Sequence, residues 1–156
     1  MAFLESLEQI GISTWMRESP SVFAYPTILL LHVMGMAIVV GISSVINLRL
    51  LGVSPKTALQ PLERLYPLMW SGFAVNAVTG TILLLASASM RLIDPAFYVK
   101  MVFIFGGVTV LQLTRSKVFR NLGPDGALPS SAKALAWTGL VCWLGAVTAG
   151  RLLAYI

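Results

Sequence analysis

The sequence predicts an all-α fold, a bundle of four transmembrane helices preceded by an amphipathic helix lying in the membrane interface. Three observations carry that prediction. Hydrophobic residues make up 57% of the 156-residue chain and charged residues 11%, against ~25% charged residues in ordinary soluble domains; the mean hydropathy is +0.84. Four separate segments have the roughly 20 apolar residues that a ~30 Å hydrocarbon core demands of a helix. Prolines and polar residues collect between those segments, where turns belong.

The interfacial helix is expected over about 2–18. Leu4, Leu7, Gly11 and Trp15 recur at helical spacing while Glu5, Glu8 and Gln9 face elsewhere, the pattern of a helix resting on the headgroup boundary. Ser19-Pro20 ends it. The start MAFLESLEQ lacks a basic segment ahead of an apolar run, so it does not read as a cleaved signal peptide. The four spans follow at about 25–48, 66–88, 97–114 and 134–155. Ser54-Pro55 and Pro61 mark the first loop, Asp94-Pro95 the second, and Gly123-Pro124-Asp125-Gly126 with Pro129-Ser130-Ser131 the third. No long polar linker and no repeat divides the chain, so residues 1–156 are expected to form a single membrane domain.

The net charge of +5 is a topology signal. The basic residues stand beside apolar segments and form no solvated patch, so no nucleic-acid partner is expected. Of the eleven, Arg49, Lys56, Arg64, Arg115, Lys117, Arg120 and Lys133 belong to the first and third loops, and Arg17, Arg91, Lys100 and Arg151 to the opposite side. That excess predicts cytoplasmic first and third loops and both termini outside, which in a bacterium is the periplasm. A lone cysteine, Cys142, precludes an intrachain disulfide and a paired-cysteine metal motif.

Enzymatic motifs are missing. No aspartate or glutamate falls inside a predicted span, so paired carboxylates for acid/base work are lacking, and one histidine leaves none to activate a serine. Gly106-Gly107 lies within an apolar segment, which is no context for a nucleotide-binding loop. No catalytic activity of its own is expected.

The single histidine, His32, is the best functional lead. A neutral imidazole can ligate iron, copper or zinc or carry a proton, and a lipid-facing position has no use for one. Seven residues past Tyr25, it is expected roughly 10 Å below the outer surface. Lys100 and Met101, early in the third span, and Arg151, late in the fourth, fall at similar depth and are the expected neighbours. On the first span Leu29, His32, Gly35, Met36, Val39 and Ser43 share a broad face, whose small residues leave room beside the ring. A b-type haem needs such room, an imidazole ligand and cations for its propionates. His32, Gly35, Lys100 and Arg151 could supply these, with Met101 or a partner subunit as sixth ligand. Copper is the alternative, because His32 and Met36 lie one turn apart and imidazole with thioether suits Cu(I); Met34 points away from Met36.

Each residue also has a purely structural role open to it. His32 could bridge helices through a hydrogen bond, methionines fill apolar gaps, and basic residues near span ends reach for headgroups. On the second span Gly72, Asn76 and Gly80 form one stripe, and on the fourth Gly139, Cys142, Ala146 and Gly150 form another. Small residues allow close helix approach, and the two stripes are expected to face one another or a partner protein.

The run Leu31-His32-Val33-Met34-Gly35 through Gly41 to Asn47-Leu48-Arg49-Leu50-Leu51-Gly52, then Trp70-Ser71-Gly72-Phe73, Thr79-Gly80, Ala96-Phe97, Lys100-Met101 and Ala149-Gly150-Arg151, resembles a poorly characterised group of bacterial four-helix membrane proteins. The likeness covers residues 22 to 155. The resemblance implies a histidine at position 32 and, often, an aspartate where this chain has Asn47, which removes a charge partner for Arg49. More loosely, the chain is similar to copper-resistance membrane proteins and small b-type cytochrome subunits.

The leading expectation is therefore a small inner-membrane subunit that binds haem b through His32 and relays electrons for a larger membrane or periplasmic complex. The alternatives are a cofactor-free accessory or anchor subunit and a copper-handling protein. Its surroundings are the lipid bilayer and partner subunits or further copies of itself.

Overall fold

The computed structural model describes residues 11, 14, 23–122 and 128–153. Within them the chain is helical, without a strand: α1 (Ala24–Leu50), a short α2 (Gln60–Glu63), α3 (Tyr66–Leu85), a short α4 (Ala88–Arg91), α5 (Pro95–Lys117), a 3₁₀ turn (Phe119–Asn121) and α6 (Ala132–Leu152). Four helical stretches, Ala24–Leu50, Gln60–Leu85, Pro95–Asn121 and Ala132–Leu152, are long and apolar enough to cross a membrane. The expected interfacial helix over 2–18 lies outside the described residues, apart from Gly11 and Thr14, which are helical.

The helix ends follow from local chemistry. α1 closes in a Schellman motif: Gly52, at φ +92°, donates to Arg49 O, and Val53 donates to Leu48 O. Only glycine adopts this left-handed position without strain. The Arg49 guanidinium then donates to the carbonyls of Pro55 and Thr57, satisfying loop groups that no helix supplies. α5 begins two residues earlier than the hydropathy predicts because Asp94 caps it, accepting from Ala96 N at 2.8 Å, and Pro95 occupies the first helical position. α3 ends earlier than expected, at Leu85, and a separate turn, α4, carries the chain across. Arg91 at its end donates to Leu153 O and ties that loop to the end of α6.

The spans form a row, α3 on α1, α1 on α6 and α6 on α5. α3 and α5 touch far less, and their described link lies at one end, where Tyr66 Oη donates to Leu111 O at 3.3 Å. Around that bond Phe119 meets the Tyr66 ring edge-to-face at 5.7 Å and Arg115 lies 5.3 Å from its centroid. Elsewhere the outward surfaces are apolar: Val78, Val102, Phe105, Trp137 and Leu144 are all largely exposed. Such surfaces face lipid in a membrane-spanning bundle.

The small-residue stripes do not meet, contrary to the sequence-based expectation. That of α3 packs on α1, where the Cβ absent from Gly72 would fall 2.8 Å from Ile38 Cγ2. That of α6 packs on α1 and α5: Gly139 receives the Asn47 side chain, and Gly150 the stem of Lys100. Both stripes are consumed by contacts within the chain.

Candidate functional site

Two helices build the surroundings of His32. On α1 the helical period buries Gly35, Val39 and Ser43 and leaves Met34 half exposed to the outside. Leu29, expected on the same face, is exposed. On α3 the stripe Gly72, Asn76, Gly80 acts as a seat for α1. At Gly72 the backbones touch, at Asn76 side chains bond across to main-chain carbonyls, and at Gly80 the missing Cβ leaves the imidazole its space, Cε1 lying 3.0 Å from where that Cβ would stand.

The hydrogen bonds assign the tautomer of the ring. His32 Nδ1 lies 3.1 Å from Asn76 O and 3.1 Å from Thr79 Oγ1. Thr79 spends its one hydroxyl proton on Val75 O at 2.6 Å, so towards the ring it offers a lone pair. Asn76 Nδ2 also comes within 3.4 Å of Nδ1 but donates to His32 O at the shorter 2.8 Å, so the two nearer acceptors place the proton on Nδ1 and leave the Nε2 of the neutral ring its lone pair.

A cavity of about 20 Å³ adjoins the ring, space for a single water. His32, Met36, Asn76, Lys100, Trp143 and Phe73 are among its lining residues. Of the candidates from the sequence, the structure therefore brings His32, Met36 and Lys100 to one cavity. Met101 and Arg151 do not line it. Met101 is one residue, about 100° of helix, round from Lys100, and Arg151 is exposed near the end of α6.

Gly35 does not provide the free space expected of it. A Cβ there would stand 2.7 Å from Gly72 O and 2.9 Å from Asn76 N, so its smallness admits the backbone of α3. That face is closed, and the cavity beside the ring is water-sized. His32 and Met36, the pair expected of a copper site, line that cavity together with Lys100. Among the described residues no three His, Cys, Asp or Glu side chains cluster as a metal site.

Two members of the site escape sequence reasoning. Thr79 supplies an acceptor to His32; its spacing of three from Asn76 is the one available signal. Trp143 is 5% exposed, and its indole Nε1 is buried without a hydrogen-bond partner. Nothing in an apolar helix distinguishes this tryptophan from a packing residue. Comparison with protein-family models, curated proteins and solved structures gives no match.

Proposed function

We propose that this is a cofactor-free accessory or anchor subunit of a larger complex in the bacterial inner membrane, with both termini periplasmic. The observation that carries the reading is the use of His32. Its Nδ1 and its carbonyl are both engaged by α3, and the cavity beside the ring is water-sized. The residue best equipped for chemistry is thus built in as a brace between two spans. The orientation rests on seven basic residues at the first and third loops against four opposite.

The test is an absorption spectrum, oxidised and dithionite-reduced, of protein isolated from its native membrane in mild detergent, with native gel electrophoresis in parallel. No Soret band and migration as part of a larger assembly are expected. A Soret band lost in His32→Ala while assembly persists would overturn the reading, as would migration as a lone monomer.

One observation favours a second reading, haem-linked electron relay. A histidine that donates Nδ1–H to a backbone carbonyl presents Nε2 as a ligand, the arrangement found behind many ligating histidines. That reading requires helices around the ring to part, and the same spectrum decides it.

A further inference from the structure

Thr114, near the end of α5, is 2% exposed, and its hydroxyl oxygen is buried without a hydrogen-bond partner. Threonines in spans ordinarily bond back to their own helix. Thr79, Thr81, Thr109 and Thr138 each donate to the carbonyl four residues before them, at 2.6, 2.8, 2.7 and 2.9 Å. Thr114 makes no such bond to Val110 O, so its hydroxyl is turned away from the carbonyls of α5. A second observation shows what it is turned towards. Thr114 lines a cavity of about 10 Å³ together with Ser43 and Asn47 of α1 and Tyr66 of α3, and none of those three is more than 3% exposed.

The other polar groups have bonding capacity left over. Tyr66 Oη gives its proton to Leu111 O at 3.3 Å and keeps its lone pairs. That carbonyl points along α5 towards Thr114, one turn on, so the two hydroxyls stand at one level of the bundle. Ser43 Oγ accepts one long bond, 3.4 Å, from Asn47 Nδ2, and among the described residues Asn47 Oδ1 accepts none. Charge and size together select the ligand. Arg115 lies 5.3 Å from the Tyr66 ring, which disfavours a cation, and no charged side chain lines the cavity to hold an anion. The volume is just enough for one water.

We propose that this cavity binds a single water molecule that ties α5 to α1 and α3. Thr114 donates to it, and it donates to Tyr66 Oη and to an oxygen of the Ser43–Asn47 pair, three bonds being the usual complement of a buried water. The site falls where direct packing is thinnest, since α5 packs chiefly on α6 and touches α1 and α3 far less. The water thus makes a link between spans that side chains elsewhere make directly. Its cavity shares no residue with the one beside His32, so the site is independent of the role of that histidine.

The test uses the full chain in nanodiscs, deuterated except at isoleucine and valine methyl groups. Magnetisation from water should reach the methyls of Ile46 and Val110, which line the cavity, with opposite signs in laboratory-frame and rotating-frame spectra, the mark of a water held in place. Thr114→Ser, which keeps the hydroxyl, should retain both signals, and Thr114→Val, which matches the shape without it, should lose them. Stability gives a second readout, by its sign. Removing a hydroxyl bonded to water should raise the unfolding equilibrium constant in SDS mixed micelles about fivefold, whereas removing an unsatisfied one lowers it. No signal at Ile46 or Val110 in the unaltered chain, signals undiminished in Thr114→Val, or an unfolding constant unchanged or lowered by that substitution overturns the proposal. If Thr114→Val does not fold, the unaltered chain and Thr114→Ser decide: signals in both support the bound water, and their absence from either overturns it.

Discussion

His32 and Asn76 each hold the other's main chain. The imidazole Nδ1 donates to Asn76 O at 3.1 Å and the Asn76 amide donates to His32 O at 2.8 Å. Both bonds cross between α1 and α3 and both end on a carbonyl that already belongs to a helix. Reciprocity of this form fixes the register of the two spans chiefly through main-chain carbonyls, the direct contact between the two side chains being the longer one, 3.4 Å from Asn76 Nδ2 to Nδ1.

That distinction predicts the outcome of two double-mutant cycles. Truncating Asn76 leaves its carbonyl in place for His32, so His32→Ala and Asn76→Ala should be nearly additive, within about 0.5 kcal/mol. Thr79 bonds the ring through its own hydroxyl, so His32→Ala with Thr79→Val should couple by about 1 kcal/mol, the scale of interhelical bonds in membranes. Denaturation by SDS in mixed micelles measures both cycles. A larger coupling for the asparagine than for the threonine would contradict this description of the clamp.

The glycines separate just as sharply. Gly35→Ala places a methyl group 2.7 Å from the backbone oxygen of Gly72, and backbone cannot rotate away as a side chain can. The spans must move apart, at about 1–3 kcal/mol. Gly41 lies on the same helix with nothing within 4 Å of its missing Cβ, so Gly41→Ala should be neutral or stabilise by up to about 1 kcal/mol through helix propensity. Thermal unfolding in detergent distinguishes them, and comparable losses for both would show that the α1–α3 contact is looser than described.

Much of this site is present in the sequence as spacing. The buried face of α1 through Gly35, Val39 and Ser43 follows from helical period, and the meeting of His32 with Lys100 follows from counting residues inward from two span ends on the same side. Depth, however, carries no information about rotation. Met101 has the depth of Lys100 but lies about 100° round the helix, so it falls outside the cavity lining. Gly35 illustrates a different limit. A small residue beside a histidine is equally consistent with room for a cofactor and with room for another helix, and only the position of α3 decides. The partner of the Gly139 stripe was illegible for the same reason, because apolar spans of similar length offer no pairing code beyond their small residues.

At the opposite end of the α3–α5 seam, Tyr66 supplies what helix packing does not. Its hydroxyl bond to Leu111 O, its contact with Phe119 and the nearby Arg115 are the described links there. Arg115 adds little through Glu63, since those groups are 3.6 Å apart with side chains 42% and 41% exposed, conditions under which an ion pair contributes at most about 1 kcal/mol. Tyr66→Phe should therefore cost about 1 kcal/mol, one hydrogen bond, and Tyr66→Ala about 3–5 kcal/mol through the lost ring. Equal effects of the two substitutions on unfolding would assign the stability to the hydroxyl and not to the packing.

Asn47 provides the last test, because its charge state decides what α1 and α6 can tolerate. The amide is 3% exposed, its nitrogen 3.4 Å from Ser43 Oγ and 2.6 Å from where a Gly139 Cβ would stand. Arg49, two residues on, turns away to the carbonyls of Pro55 and Thr57. A carboxylate at position 47 would be buried without a described cation to pair with. Asn47→Asp should then destabilise the bundle by about 3 kcal/mol, whereas Asn47→Ser, which keeps a small neutral donor, should cost about 1 kcal/mol. If Asn47→Asp instead unfolds no more readily than the unaltered chain, and Arg49→Ala removes that tolerance, Arg49 pairs with position 47 and the loop carbonyls are not its fixed partners.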